Sequence, residues 1–551
     1  MRLVAPPRDE PRAELQAEQI SGPRGQLIAL HKRLYREQRR RIEATLDRET
    51  PEFRRYRLQY ERAVRRFDAI VEYEEVIGAA AQAPLVLVGD YHTLRQAQRS
   101  TFKLAGQLLS RGVRLLLGLE FVQARYQSAL DAYLAGALGE EAFLTAIHYR
   151  QLQPFDLWPN FKPLFELARS EKLPIVAIDS PAGGPDSLPS RDRHAAQALA
   201  LAMRTHPDRL PVVLMGQLHL APSHLPAALP PWIGERGARQ PLTLYQNCEE
   251  IYFELERLGQ EQTAEAVRLD KHTYCLINSS PLVCQQSYLD WVEATALGER
   301  VEEVTPEVHF REAGGLLAEF LEITPPRPLA EVEVASPGNL ALFRRLQREN
   351  PREFRMLSRR ILTGESFCIP HLRAVYLAES SLNRAAEVAG RYLWHLCADE
   401  DGEPRGLVDA FYAAALEQAL GFFGSKVVNP RRKAQHRPQL LARLHRPGVS
   451  RLDREVAEAV LAHQRFEAGE RVPEVQRLYT LRDPERFHAA TRVLGQVLGD
   501  KLYYGLLRGR IGKAEVRSLF FDAFEEEGAA LHTYLYLIGK VGRTRIPVRK
   551  G

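Results

Sequence analysis

Five groups able to bind a metal or move a proton stand at the ends of short apolar runs in this 551-residue chain. PLVLVG (84–89) leads into Asp90-Tyr91-His92, and VRLLLGL (113–119) stops at Glu120. PIVAI (174–178) stops at Asp179, and PVVLMG (211–216) leads into Gln217-Leu218-His219. His92 and His219 each lie three residues past a glycine, which lets the backbone turn sharply where a strand ends. Two histidines and a carboxylate are the ligands that zinc or another divalent metal takes in a three-ligand site with one open position. The same groups can instead act as general base, general acid and orienting partner with no metal. Each also has a structural reading. A strand-end histidine can simply be hydrogen-bonded, Glu120 can favour the next helix dipole, and Asp90 and Asp179 can serve turns.

These residues meet only if the apolar runs are strands of one sheet. Runs of this length, rich in Val, Ile and Leu and alternating with helical segments, read as buried parallel strands. The carboxyl ends of such strands line the crevice where ligands bind. The expected fold class is therefore an α/β parallel-sheet domain with a helical N-terminal segment and an all-α C-terminal domain. The expected boundaries are 1–80 for a loose arm (1–25) and a helical hairpin, 81–330 for the α/β domain, and 331–551 for the helical domain. The hairpin's second helix is expected over roughly 52–79, with Tyr56, Tyr60, Val64, Phe67, Ile70 and Val71 on one stripe. A helix is expected from about Arg95 to Ser110, closed by Gly112. Another runs from about Arg191 to Thr205 after a Pro/Gly loop (180–190). A Pro-rich loop (221–231) and a fifth strand, Leu242–Tyr245, complete the pattern. Residues 251–330 are mixed. From about Ser336 the chain is strongly helical, with Ser336-Pro337, Asp453 and Asp483-Pro484 as helix starts, and it carries no motif tied to chemistry.

Several further residues belong to the crevice's candidate set. His224, five residues beyond His219, is an additional ligand or a solvated loop histidine. Arg191 can bind an anionic group, whereas Asp192 suits the first turn of its helix. Tyr91, Tyr126 and Tyr133 are candidates for a phenolate ligand to haem iron, or core aromatics. His395 has no partner at ligand spacing, and Cys368 and Cys397 read as small buried residues.

Composition narrows the function classes. Hydrophobic residues make up 45% and charged residues 26%, as in ordinary globular protein. A net charge of +5 spread over this length is too dilute for a nucleic-acid face. Five cysteines without C-x-x-C exclude a zinc ribbon and fit a reducing compartment. The N-terminus has no apolar signal core, and no apolar run reaches membrane-spanning length. A cytoplasmic protein with no membrane or nucleic-acid partner is expected, and a homo-oligomer is compatible with this composition. Phosphate loops and the G-x-S-x-G elbow are absent.

Residues 81–250 resemble the ChaN-like group of the Tiki superfamily, described as haem-binding uptake proteins. Gly89-Asp90-Tyr91-His92 stands for that family's G-E-x-H, with Asp for Glu, and LGLE for its Glu-ended strand at Glu120. Tyr133 to Leu138 with Phe143, then Trp158, Phe161, Pro163-Leu164 and Ala168-Arg169, follow in the family's order. PIVAIDS, Arg191-Asp192 with Ala195-Ala196, and Gly216 to His219 complete it. Phe161 stands where the family usually has Tyr. The resemblance implies a crevice holding haem, iron or another metal, with Tyr91, His224 and Arg191 as cofactor-binding candidates. Other branches of the superfamily look like metal-dependent proteases or esterases. That implies a hydrolase of a small-molecule or peptide substrate in which His92, Glu120 and His219 hold a divalent metal, with Asp90 or Asp179 orienting a ligand histidine. A third reading is a scaffold that acts through the helical C-terminal domain.

Overall fold

A computed structural model describes residues 22–45, 50–152, 156–180, 187–229, 240–296, 306–379, 381–398, 405–479 and 484–547. The expected arm up to residue 21, the Pro/Gly loop at 181–186, the end of the Pro-rich loop from 230, and Asp483 lie outside the described residues. The chain divides into two compact units: Lys32–Glu302, and Glu303–Pro547 together with the segment ending at His31.

The first unit is built on an eight-stranded mixed sheet. Its strands are β1 (Ala69–Val71), β2 (Val86–Asp90), β3 (Leu115–Gln123), β4 (Ile175–Asp179), β5 (Leu210–Gly216), β6 (Leu242–Gln246), β7 (Ala266–Asp270) and β8 (Thr273–Leu276). Their spatial order is β1-β7-β8-β6-β2-β5-β3-β4. The run from β8 to β4 is parallel, whereas β7 is antiparallel to both β8 and β1. Side chains alternate between the two faces of a strand. Val86, Val88, Leu117, Leu119, Val212 and Leu214 fill one core, while Leu85, Leu87, Val213 and Met215 fill the other. Both faces are therefore covered, as a parallel sheet requires.

The helices Arg95–Ser110 and Leu188–Thr205 lie close to their expected bounds. Gly112 closes the first at φ 77°. The expected second hairpin helix is shorter than its apolar stripe. Thr50 caps it by accepting from the Phe53 N–H, and it runs Pro51–Ala63. Ile70 and Val71 instead lie in the edge strand β1, paired with Val267 and Ala266. Strand pairing suits these β-branched residues better than another helical turn. β3 also continues past Glu120 to Gln123, with a register irregularity against β4 between Leu119 and Gln123.

The second unit is helical. Its helices Leu382–Ala398, Leu407–Val428 and Pro484–Leu507 pack at very short range. A Cβ on Gly421 would lie 2.6 Å from the Glu387 carbonyl oxygen, and one on Gly495 would lie 2.5 Å from that of Ala415. A small three-stranded sheet adds β9 (Glu333–Ala335), β10 (Phe367–Ile369) and β11 (Ala374–Tyr376) to the expected all-α region. Three-residue strands are too short to show an alternating pattern. Among the described residues, no helix is long and apolar enough to cross a membrane.

Candidate functional site

β5 lies between β2 and β3, and register fixes where the chemistry falls. Asp90 is opposite Gly216, and Leu119 is opposite Leu214. The residues after β2, within β3 and after β5 therefore project over one stretch of sheet edge. His219 sits in the short 3-10 turn Gln217–Leu220. The structure thus brings His92, Glu120, His219, Asp90, Asp179 and Arg191 into one cluster.

Glu120 is its centre. Its Oε2 lies 3.7 Å from His92 Nε2 and its Oε1 lies 3.8 Å from His219 Nε2. The Gly216 N–H donates to Oε2 at 2.6 Å, and Arg191 Nη2 donates to Oε1 at 2.6 Å. Arg191 also donates to Asp179 Oδ1, at 2.7 Å through Nη2. Burial opposes ionisation of Glu120, but His92, His219, Arg191 and the Gly216 N–H outweigh it and hold the carboxyl down at about 2. Asp179 is pushed the other way, chiefly by burial and also by Glu120.

Each imidazole is fixed from behind by an aspartate. His92 Nδ1 lies 2.7 Å from Asp90 Oδ2, and Gln98 Nε2 donates to Asp90 Oδ1 at 2.6 Å. His219 Nδ1 lies 2.6 Å from Asp192 Oδ1, and the Tyr56 hydroxyl donates to Asp192 Oδ2 at 2.8 Å. An aspartate accepts only, so each Nδ1 carries the proton and each Nε2 is left facing Glu120. Burial works against a charge on His92, but Asp90 and then Glu120 outweigh it and raise the ring to about 9. Its side chain is 49% exposed, so water screens part of that pull. His219 is 4% exposed.

Gly216 leaves a small cradle between these groups. A Cβ there would lie 3.4 Å from Glu120 Oε2, 3.4 Å from His92 Nε2 and 3.6 Å from His219 Cδ2. A metal ion needs donors at about 2.0–2.2 Å. Among the described residues, only Cys368, His395 and Glu417, in the other unit, bring three donor atoms of His, Cys, Asp or Glu within 4.8 Å of one another. The strand-end trio has the chemistry of a zinc site but is spread too wide for one ion, and its glutamate already carries a guanidinium.

Two expected residues are turned elsewhere. The His224 ring stacks on Tyr56 with centroids 3.5 Å apart. Its Nδ1 donates to the Leu218 carbonyl oxygen at 2.5 Å, and its Nε2 lies 2.7 Å from Gln59 Oε1. His224 therefore braces Tyr56 and does not join the cluster. The Tyr91 ring packs with Leu94, Ala97 and Cys284, and burial raises its hydroxyl far above the usual range, which disfavours a phenolate. Tyr133 is a core residue stacked on Phe143. Tyr56, Gln98 and the role of Asp192 escaped the sequence reading. Gln98 alone left a local signal, since it lies eight residues past the strand end it serves, near the start of the next helix.

Residues 76–183 match the family model described as haem-binding uptake, Tiki superfamily, ChaN. The matched stretch holds Asp90, His92, Glu120 and Asp179 and ends before Arg191, Asp192 and His219. This part of the chain is ChaN-like, over less than a quarter of the chain's length. No curated protein and no solved structure matches the chain.

Proposed function

We propose that the strand-end crevice is a hydrolytic acid–base site for an ester or amide. The observation that supports this most strongly is the pair of aspartate-held imidazoles whose Nε2 atoms face opposite oxygens of one ionised glutamate. With its proton held on Nδ1 by Asp192, His219 offers the Nε2 lone pair as general base. His92 keeps its second proton through neutral pH and serves as general acid. Water seated over Gly216 loses a proton to His219 Nε2 as its oxygen attacks the carbonyl carbon. His92 Nε2 then gives its proton to the leaving oxygen or nitrogen. Glu120, clamped by Arg191 and the Gly216 N–H, stabilises the imidazolium and sets the spacing of both rings. No step is routed through a metal, because the donors are spread too wide to hold one.

A second reading is haem binding, favoured by the family match over residues 76–183. Haem iron needs one or two axial ligands, so wide spacing of the trio is no obstacle. The half-exposed His92, oriented by Asp90, is the residue that would supply one, and bound haem would add redox chemistry or simple carriage.

The test is a panel of chromogenic esters and peptides assayed with and without a chelator, beside hemin titration. Expected are turnover that survives the chelator, loss of at least about a hundredfold in His219→Ala, and an alkaline limb near pH 9 that disappears in His92→Gln. A Soret band lost in His92→Ala, with no turnover of any substrate, would instead select the haem reading.

A further inference from the structure

In the unit Glu303–Pro547, three helices direct arginines to one small cavity. Arg360 comes from the helix Pro351–Leu362, Arg384 and Arg391 from Leu382–Ala398, and Arg492 from Pro484–Leu507. Two carboxylates, Glu365 and Glu387, share the wall, and both are already engaged. Glu365 takes Arg360 Nε at 3.2 Å. Glu387 is bound by Arg432 and accepts from Gln496 Nε2 at 3.1 Å, with Arg384 Nη1 at 3.6 Å.

Arg391 is 4% exposed, yet its Nε has no hydrogen-bond partner. Its Nη2 donates to the Ser366 carbonyl oxygen at 2.7 Å, and its Nη1 stands 3.9 Å from Glu417. Among the described residues, Arg492 has no hydrogen-bond or ion-pair partner. A buried guanidinium N–H with no acceptor is costly, and so is positive charge gathered faster than it is neutralised. The neighbouring guanidiniums respond accordingly. Burial, with Arg391 adding repulsion, depresses Arg360, and burial with Arg384 depresses Arg432.

We propose that this cavity binds a phosphoryl group, held by Arg391 Nε and Arg492. The planar guanidinium fork matches phosphate oxygens, and a dianion supplies the missing counter-charge. The adjoining Cys368, His395 and Glu417 do not redirect the proposal to a cation. His395 Nε2 already faces Glu417 Oε1 at 3.4 Å, and the Arg391 guanidinium stands 3.9 Å from the same oxygen, where its charge opposes a cation.

Calorimetric titration of the full chain tests this, with inorganic phosphate in one arm and glycerol phosphate in the other. One saturable site is expected, weakened at least about tenfold by Arg492→Ala and by Arg391→Gln. Arg111→Gln, at an exposed ion pair with Glu74 in the other unit, is expected to leave it unchanged. Tighter binding of glycerol phosphate assigns the group to an organic ester, and equal or weaker binding assigns it to free phosphate. If Arg391→Gln does not fold, Arg492→Ala decides alone. Absence of saturable binding in both arms, or an affinity untouched by Arg492→Ala, overturns the proposal.

Discussion

Asp90 and Asp192 do the same thing to two different histidines, but they sit at very different distances along the chain. Asp90 is two residues from His92, so that pair was visible in the sequence. Asp192 is 27 residues from His219 and Tyr56 is 163, and only the fold joins them. Asp192 therefore read as a first-turn helix residue, a position it also occupies. Its side chain is buried and holds two partners, so Asp192→Ala is expected to cost about 1–3 kcal/mol in urea unfolding. A loss within about 0.5 kcal/mol, as at an ordinary surface site, would contradict the role assigned to it. The pH dependence has two sides. His92 is raised, so its contribution is full below its unfolded value near 6.5 and fades as pH rises through about 9. Glu120 is lowered, so its contribution is full above its unfolded value near 4.5 and fades as pH falls through about 2. Urea midpoints are expected to be highest between these unfolded values and to decline on each side. The alkaline decline shrinks in His92→Gln, and an unchanged decline in that variant would count against the Asp90–His92 pair.

At the scale of elements, the four apolar runs were readable because each is a buried strand ending in polar residues. What could not be read was the continuation of β3 beyond Glu120, since the irregularity against β4 depends on a neighbour 50-odd residues away. An irregularity of this kind can re-aim a side chain, and Glu120 sits beside it. The G-x-x-H signal after β5 proved informative in a second way, because Gly216 is where three functional side chains come nearest to one backbone position. Its φ of −48° is open to any residue. Gly216→Ala is thus expected to fold with stability within about 0.5 kcal/mol of the parent, since the added methyl meets its neighbours at ordinary contact. The same methyl fills the cradle, so turnover or ligand binding at the crevice is lost. Retention of both would mean that nothing has to sit above Gly216.

At the scale of the whole molecule, apolar periodicity revealed a helical C-terminal region but not its packing. The helix Leu407–Val428 is buried around most of its circumference, so it has no single apolar stripe to find. One of its close approaches to Pro484–Leu507 runs through Gly495, which in the sequence looks like an ordinary helix-weakening residue. Gly495→Ala is expected to destabilise the chain by roughly 1–3 kcal/mol through overpacking, despite the better helix propensity of alanine. A gain in thermal stability would show that the helices tolerate separation. The arginine cavity was equally hidden, because Arg492 stands more than a hundred residues beyond the other three arginines. The central claim, that two aspartates set the two strand-end imidazoles for opposite proton-transfer roles, is tested most directly by 15N NMR of histidine-labelled full-length protein across pH. The account predicts His219 with its proton on Nδ1 and a bare Nε2, and His92 doubly protonated at neutral pH and titrating near 9. Two rings that both carry the proton on Nε2, or a His92 that titrates near 6.5, would contradict it.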